Sequence, residues 1–369
     1  MVNSADPPVR QRLMKYPAIL RIEDVLSELE AFDALIDARS PAEFAEDHIP
    51  GAINCPVLDN EERIRVGTLY KEAGAFEAKK VGAAIVARNI AHHLDAQFAA
   101  HGRDWKPLVY CWRGGNRSGA MAHILARIGW PVAQLDGGYK EYRRHVLAAM
   151  EELPRRFHYR VLCGTTGSGK SCLLQALAAE GAQVLDLEQL AAHRGSLLGH
   201  LPGTPQPTQK AFESGLWQTL CRFDAAQPVY VESESKKVGN LRVPEALMEA
   251  IRASDCIALT LPMAQRVALL MRDYAHFLVA PQSLNEQLGH LLQQHGREKI
   301  ARWQGLAAAG RMEQVVEALL AEHYDPAYLR SIDCNFTRHG QARQLALNGI
   351  EEAEFAQAAR ALLAGNQVK

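Results

Sequence analysis

Residues 157–187 read "FHYRVLCGTTGSGKSCLLQALAAEGAQVLDL", and the order of their parts decides the fold of the C-terminal half. "RVLC" is a strand-type apolar run, "SCLLQALAAE" has helical periodicity, and "AQVLDL" reads as a second strand. Between them "GTTGSGKS" (164–171) fits the phosphate-loop spacing G-x-x-x-x-G-K-S without a gap. Gly164, Gly167 and Gly169, with Thr165, Thr166 and Ser168 between them, let the backbone turn its N–H groups inward. The following helix adds the positive end of its dipole. Lys170 is expected to reach the terminal phosphates and Ser171 to ligate a magnesium ion. The loop predicts a di- or triphosphate ligand, but no adenine-recognition feature accompanies it. ATP is therefore not required, and a non-nucleotide diphosphate fits equally. Downstream, "VYVESES" offers carboxylates near the magnesium, Glu232 first and Glu234 second. No other metal site is predicted.

Outward from this unit the chain reads as α/β. "PVYVESES" (228–235) and "CIALTLP" (256–262) are further buried-strand candidates. From about 263 to the end Ala, Leu, Gln, Glu and Arg dominate and no strand is predicted. The expectation is a P-loop α/β domain over 157–262 with a helical C-terminal extension over 263–369 packed on it. The first 145 residues alternate in the same way. "ALIDAR" (34–39) is a strand, followed by a helix start at "SPAEFAEDH" with Ser40 as cap and Pro41 in the first position. "PLVYC" (107–111) is a strand, "SGAMAHILARIG" (118–129) a helix stopped by Gly129, and "PVAQLDGGY" a strand and turn. A parallel-sheet domain over 1–145 and a linker over 146–156, around Pro154, follow from this alternation.

A length of 369 residues calls for more than one core. The chain is 48% hydrophobic and 22% charged, with no apolar run near the roughly 18–20 residues needed to cross a membrane. Its first residues, "MVNSADPPVRQRLMKYP", hold no apolar stretch between their charges, so a cytoplasmic enzyme is expected. Nothing in the sequence bears on oligomeric state. Seven cysteines, none spaced C-x-x-C, argue against a disulfide framework or structural zinc. A net charge of −1 predicts no nucleic-acid partner. Yet Arg143, Arg144, Arg155 and Arg156, near the domain junction, are candidates for phosphate-backbone contacts, against the plainer reading of a solvated helix.

One cysteine stands apart. In "YCWRGGNRSG" (110–119) Cys111 ends a strand and Ser118 opens a helix, with two glycines and two arginines between. Inward amides, a helix N-terminus, Arg113 and Arg117 all favour a thiolate in an anion cradle. Such a thiolate can attack phosphorus, sulfur or selenium. The spacing C-x5-R-S by itself suits a cysteine phosphatase.

The surroundings carry a resemblance. "LIDARSPAEFAEDHIPGAINCP" (35–56) and "LDGGYKEYRR" (135–144) resemble the signatures of rhodanese-like domains, which implies structural roles for Asp37 and Arg39. The Cys-to-Arg loop is one residue longer than in common single-domain sulfurtransferases. Joined to "GTTGSGKS", and with "VESESKKVGNLRVPEAL" (231–247) and "RVALLMRDYAHF" (266–277), the chain closely resembles the bacterial tRNA 2-selenouridine synthases over nearly its whole length, least in the last 40 residues. The resemblance implies conversion of the wobble 2-thiouridine to 2-selenouridine in lysine, glutamate and glutamine tRNAs. Selenophosphate would be the donor, with selenophosphate synthase a candidate partner. It also implies an S-geranyl intermediate formed from geranyl diphosphate. On that reading the P-loop grips the diphosphate. Cys111 carries selenium as a selenosulfide-type adduct, and Arg113 and Arg117 hold selenophosphate. The extra loop residue would make room for selenium.

Two rivals come from other classes. One is a cysteine-dependent phosphatase fused to a kinase-like domain, which would release phosphate from an aryl phosphate. The other is a non-enzymatic nucleotide-binding regulatory module, which would bind nucleotide tightly without tRNA.

Overall fold

The computed structural model describes residues 16–196, 199–200, 203–275 and 281–365. The readings of 1–15 and of 276–277 lie outside these residues. The chain forms two compact units, dividing after Ala148. Among the described residues no helix is long and apolar enough to cross a membrane.

The first unit is built on a five-stranded sheet in the order β1-β5-β4-β2-β3, every pair parallel. Its strands are β1 (Ala18–Leu20), β2 (Ala34–Asp37), β3 (Ile53–Asn54), β4 (Pro107–Tyr110) and β5 (Ala133–Leu135). β4 is buried at all four positions. It lies in the middle of a parallel sheet, so it reads as an unbroken apolar run rather than an alternating one. Ile36, Val109, Met121, Leu125 and Trp130 form the core between sheet and helices. The helix Pro41–Glu46 starts with the expected capping box of Ser40 and Glu43. The helix Asn116–Ile128 ends at Gly129 in the left-handed conformation, φ 118°.

The second unit carries a five-stranded parallel sheet, β12-β11-β6-β8-β7. The strands are β6 (Tyr159–Cys163), β7 (Gln183–Leu185), β8 (Val229–Glu232), β11 (Asp255–Thr260) and β12 (Arg343–Ala346). A short antiparallel pair, β9 (Lys237–Val238) with β10 (Leu241–Arg242), stands apart from it. β6 is central, so the loop that follows it opens at the carboxyl ends of the strands, where such sheets bind ligands.

Two expectations are corrected here. The region after 263 is not strand-free, because β12 pairs with β11 from Ile257↔Arg343 to Thr260↔Ala346. β12 is an edge strand, mostly exposed, so its sequence shows neither alternation nor a buried run. The following helix, Glu352–Ala364, packs on the helix Lys170–Ala179 within one apolar cluster. The helices between β11 and β12 have their own core of Leu284, Leu288, Ile300, Trp303, Val315 and Leu319. They are thus an insertion in the sheet domain rather than a tail. Residues 146–156 are helical, in keeping with the plainer reading of a solvated helix: Gly138–Glu152 is one helix and Leu153–Arg156 a 3-10 turn.

Candidate active site

The cysteine loop is held by backbone packing. Cys111 follows β4 and is buried. Its carbonyl accepts the Tyr139 N–H at 2.8 Å, and that of Trp112 accepts the Lys140 N–H at 3.0 Å. Gly114 and Gly138 make this approach possible. Both have positive φ, 63° and 60°, and a β-carbon at 138 would overlap the Cys111 carbonyl and the Gly114 amide. Gly114 therefore has a structural purpose of its own: a β-carbon there would overlap the Leu135 carbonyl.

Ser118 Oγ lies 3.1 Å from Cys111 Sγ. Gln134 Nε2, from β5, donates to Ser118 Oγ at 3.2 Å. The Ser118 hydroxyl can thus donate to the sulfur, with the Gly115 carbonyl at 3.4 Å as its other acceptor. Arg117 has a carboxylate partner that the sequence did not announce. Its guanidinium forks onto Glu43, at 2.6 and 3.1 Å. Burial works to raise the Glu43 carboxyl, but Arg117's hydrogen bonds and charge outweigh it and bring the carboxyl down to about 2. Arg113 is exposed on the loop.

Beneath the loop Asp37 and Arg39 are fully buried. Arg39 Nη2 binds Asp37 Oδ2 and the Asp47 carbonyl, each at 2.6 Å, and its guanidinium stacks on the Tyr139 ring at 3.9 Å. Tyr139 OH donates to Asp47 Oδ2 at 2.7 Å. This network ties β2 to the turn that seats the cysteine loop, the structural role the resemblance implies.

In the second unit residues 164–169 form the phosphate loop between β6 and the helix Lys170–Ala179. Gly169 has φ 86°, and a β-carbon there would overlap the Phe355 ring. Lys170 Nζ folds back onto the Gly164 carbonyl at 2.6 Å, with the Tyr328 ring 5.5 Å away. Tyr328 OH accepts the Gly164 N–H at 2.6 Å and bonds Ser233 Oγ at 3.0 Å. Arg266 donates to the Thr166 carbonyl at 3.0 and 2.8 Å and pairs with Asp325 at 2.6 Å. Sequence reasoning missed both Tyr328 and Arg266, whose partners lie from 59 to 164 residues away in the chain.

The acids also differ from expectation. Ser171 Oγ donates to Glu188 Oε2 at 3.0 Å, not to Glu232. Glu232 lies beneath: Oε1 accepts the Glu188 N–H at 2.9 Å, and Oε2 is buried without a hydrogen-bond partner. Burial, and then the charges of Asp186, Glu188 and Glu234, push its carboxyl well up. Glu234 hydrogen-bonds Glu188, so the pair shares a proton; burial and the Glu188 charge push Glu234 up to about 8. Glu188 itself is raised by burial against the pull of Lys170. Its signal in the sequence was an acid just beyond β7, in "VLDLE". Loop residues 166–171, Asp186, Glu188, Glu234 and Tyr328 line one cavity of about 690 Å³.

Of the arginines proposed to touch RNA, Arg144 pairs with Glu141, and Arg155 with Glu152 and Glu249 at 3.4 Å each. Those two are neutralised where they stand. Arg156 is exposed and Arg143 half-buried.

A thiol seated at the head of one parallel sheet and a phosphate loop at the head of another define a two-centre α/β protein, half rhodanese-like and half P-loop. Residues 22–145 match the family described as "Rhodanese-like domain", and residues 157–346 the family described as "tRNA 2-selenouridine synthase AAA domain". Similar proteins named tRNA 2-selenouridine synthase include one from Nitrosomonas europaea, 30% identical, covering 84% of this chain and 92% of its own. Another, from Marinobacter nauticus, is 31% identical over 80% of this chain and 87% of its own. One from Bdellovibrio bacteriovorus is 33% identical over 90% and 84%. The chain belongs to the tRNA 2-selenouridine synthase family.

Proposed function

We propose that this protein is a transferase that converts wobble 2-thiouridine in lysine, glutamate and glutamine tRNAs to 2-selenouridine. Geranyl diphosphate and selenophosphate are the co-substrates, the latter drawn from selenophosphate synthase. The observation that carries the reading is the presence, in one member of this family, of a built thiol seat and a built phosphate loop.

A thiocarbonyl sulfur leaves poorly, so it is alkylated first. The sulfur attacks C1 of the geranyl group, the C1–O bond breaks, its electron pair leaves with the diphosphate, and the N3 proton passes to water. The loop amides and Lys170 hold the departing charge. Lys170 must first leave the Gly164 carbonyl. Ser171 and Glu188 are hard oxygen donors that fit a magnesium ion, with the orphaned Glu232 Oε2 behind them. The ion would supply charge neutralisation for the diphosphate.

Electron counting then decides how Cys111 acts. Selenophosphate holds its selenium at the oxidation level of hydroselenide, so a selenosulfide on Cys111 would need an added oxidant. Attack of the Cys111 thiolate at phosphorus needs none. The S–P bond forms, the P–Se bond breaks and hydroselenide departs. Hydroselenide adds to C2, and geranylthiolate leaves with the C–S pair. Water then cleaves the S-phosphocysteine to phosphate and free thiol. The phosphatase-like spacing of the loop suits this step.

The test pairs two variants. Cys111→Ala should still geranylate 2-thiouridine tRNA but form no 2-selenouridine, and Lys170→Ala should lose roughly 100-fold or more in geranylation. Normal selenation by Cys111→Ala, or normal geranylation by Lys170→Ala, overturns the corresponding assignment.

A further inference from the structure

Beside the phosphate-loop cavity lies a second, apolar one of about 60 Å³, lined by Leu270, Met271, Leu284, Met312, Val315 and Leu319 among others. Thr166 of the phosphate loop, with Ser196, Leu270, Tyr274 and Tyr324, lines both cavities, so the two adjoin through these residues. The hydroxyls of Ser196 and Tyr274 bond each other at 3.2 Å at this junction. Most of the remaining wall is methyl and methylene. Such a space beside a phosphate loop suits neither a ribose nor a nucleobase, whose polar edges would be buried without partners. It is about twice the share of one water in the liquid, room for the end of an alkyl chain.

We infer that this cavity receives the distal end of the donor's alkyl tail while the diphosphate sits on residues 164–171, and that Met312, Val315, Val316 and Leu319 set the tail length accepted. The inference rests on the reading of the P-loop as a prenyl diphosphate site. Its walls come from the helical insertion between β11 and β12, chiefly the helix Met312–Leu319. Arg266 and Asp325 hold that insertion against the Thr166 carbonyl, which fixes the tail pocket relative to the phosphates. The insertion thereby acquires a purpose that a bare P-loop domain would not need.

The experiment measures affinity for geranyl diphosphate and inorganic diphosphate, each with magnesium, and alkylation of 2-thiouridine tRNA with geranyl and dimethylallyl donors. In the unaltered protein geranyl diphosphate should bind more than about tenfold tighter than inorganic diphosphate, the worth of roughly two buried methylenes. Val316→Phe, which fills the cavity from a half-buried position, should lower that ratio about tenfold and shift the kcat/KM preference from geranyl toward dimethylallyl. Leu319→Ala, which enlarges it, should shift preference toward the longer farnesyl donor. If inorganic diphosphate binds well but neither variant moves the tail-length preference, the pocket assignment is wrong while the P-loop reading stands. If neither diphosphate binds the unaltered protein, the P-loop reading fails and the pocket assignment with it.

Discussion

Glu188 shows how much one side chain decides here. It accepts from Ser171, shares a proton with Glu234, and stands on the Glu232 carboxyl through its own N–H. Burial and mutual repulsion raise Asp186, Glu188, Glu232 and Glu234 together, and the pull of Lys170 reaches only Glu188 and Glu234. Glu234, raised to about 8 by burial and the Glu188 charge, binds its proton more tightly folded than unfolded. Its contribution to stability is thus fully present below the ordinary carboxylate range and is lost as pH rises through about 8. The ligand-free protein should therefore lose thermal stability from about pH 5 up to about pH 8, and Glu234→Gln should flatten that slope. Differential scanning calorimetry across this window checks it; a midpoint rising with pH would contradict the shared proton. Glu43 runs the other way. Its stabilising pair with Arg117 is kept above the ordinary range and fails only as pH falls toward about 2.

Among elements, the helix Glu352–Ala364 has the largest consequence for its length. It covers the helix behind the phosphate loop, and the Phe355 ring stands against Gly169. Phe355→Ala should cost about 3 kcal/mol or more in unfolding free energy, by analogy with other buried Phe truncations. Urea denaturation measures this, and a loss under about 1 kcal/mol would show the contact to be slack. Such packing also explains what the sequence could reveal. β2, β4, β6, β8 and β11 are apolar runs between covered faces, so their residues announce them. Edge strand β12 has no such signal, and its place beside β11 depends on a pairing across more than eighty residues. The loop motifs were legible because glycine spacing is local chemistry. Glu188 was not, because it meets Ser171 only once β7 pairs with β8. The pairing of Arg117 was not legible because Glu43, its partner, lies 74 residues earlier.

On the scale of the whole molecule, two parallel sheets each present one loop at their carboxyl ends, and the proposed conversion needs both. On the proposed reading the phosphate-loop unit would make a leaving group, and the thiol unit would release the nucleophile that displaces it. This division predicts an order of events. Mass spectrometry of nucleosides from 2-thiouridine tRNA, treated with the protein and each donor in turn, tests it most directly. Geranyl diphosphate alone should give S-geranyl-2-thiouridine, selenophosphate alone should leave 2-thiouridine unchanged, and both together should give 2-selenouridine. Formation of 2-selenouridine from selenophosphate alone would contradict the account.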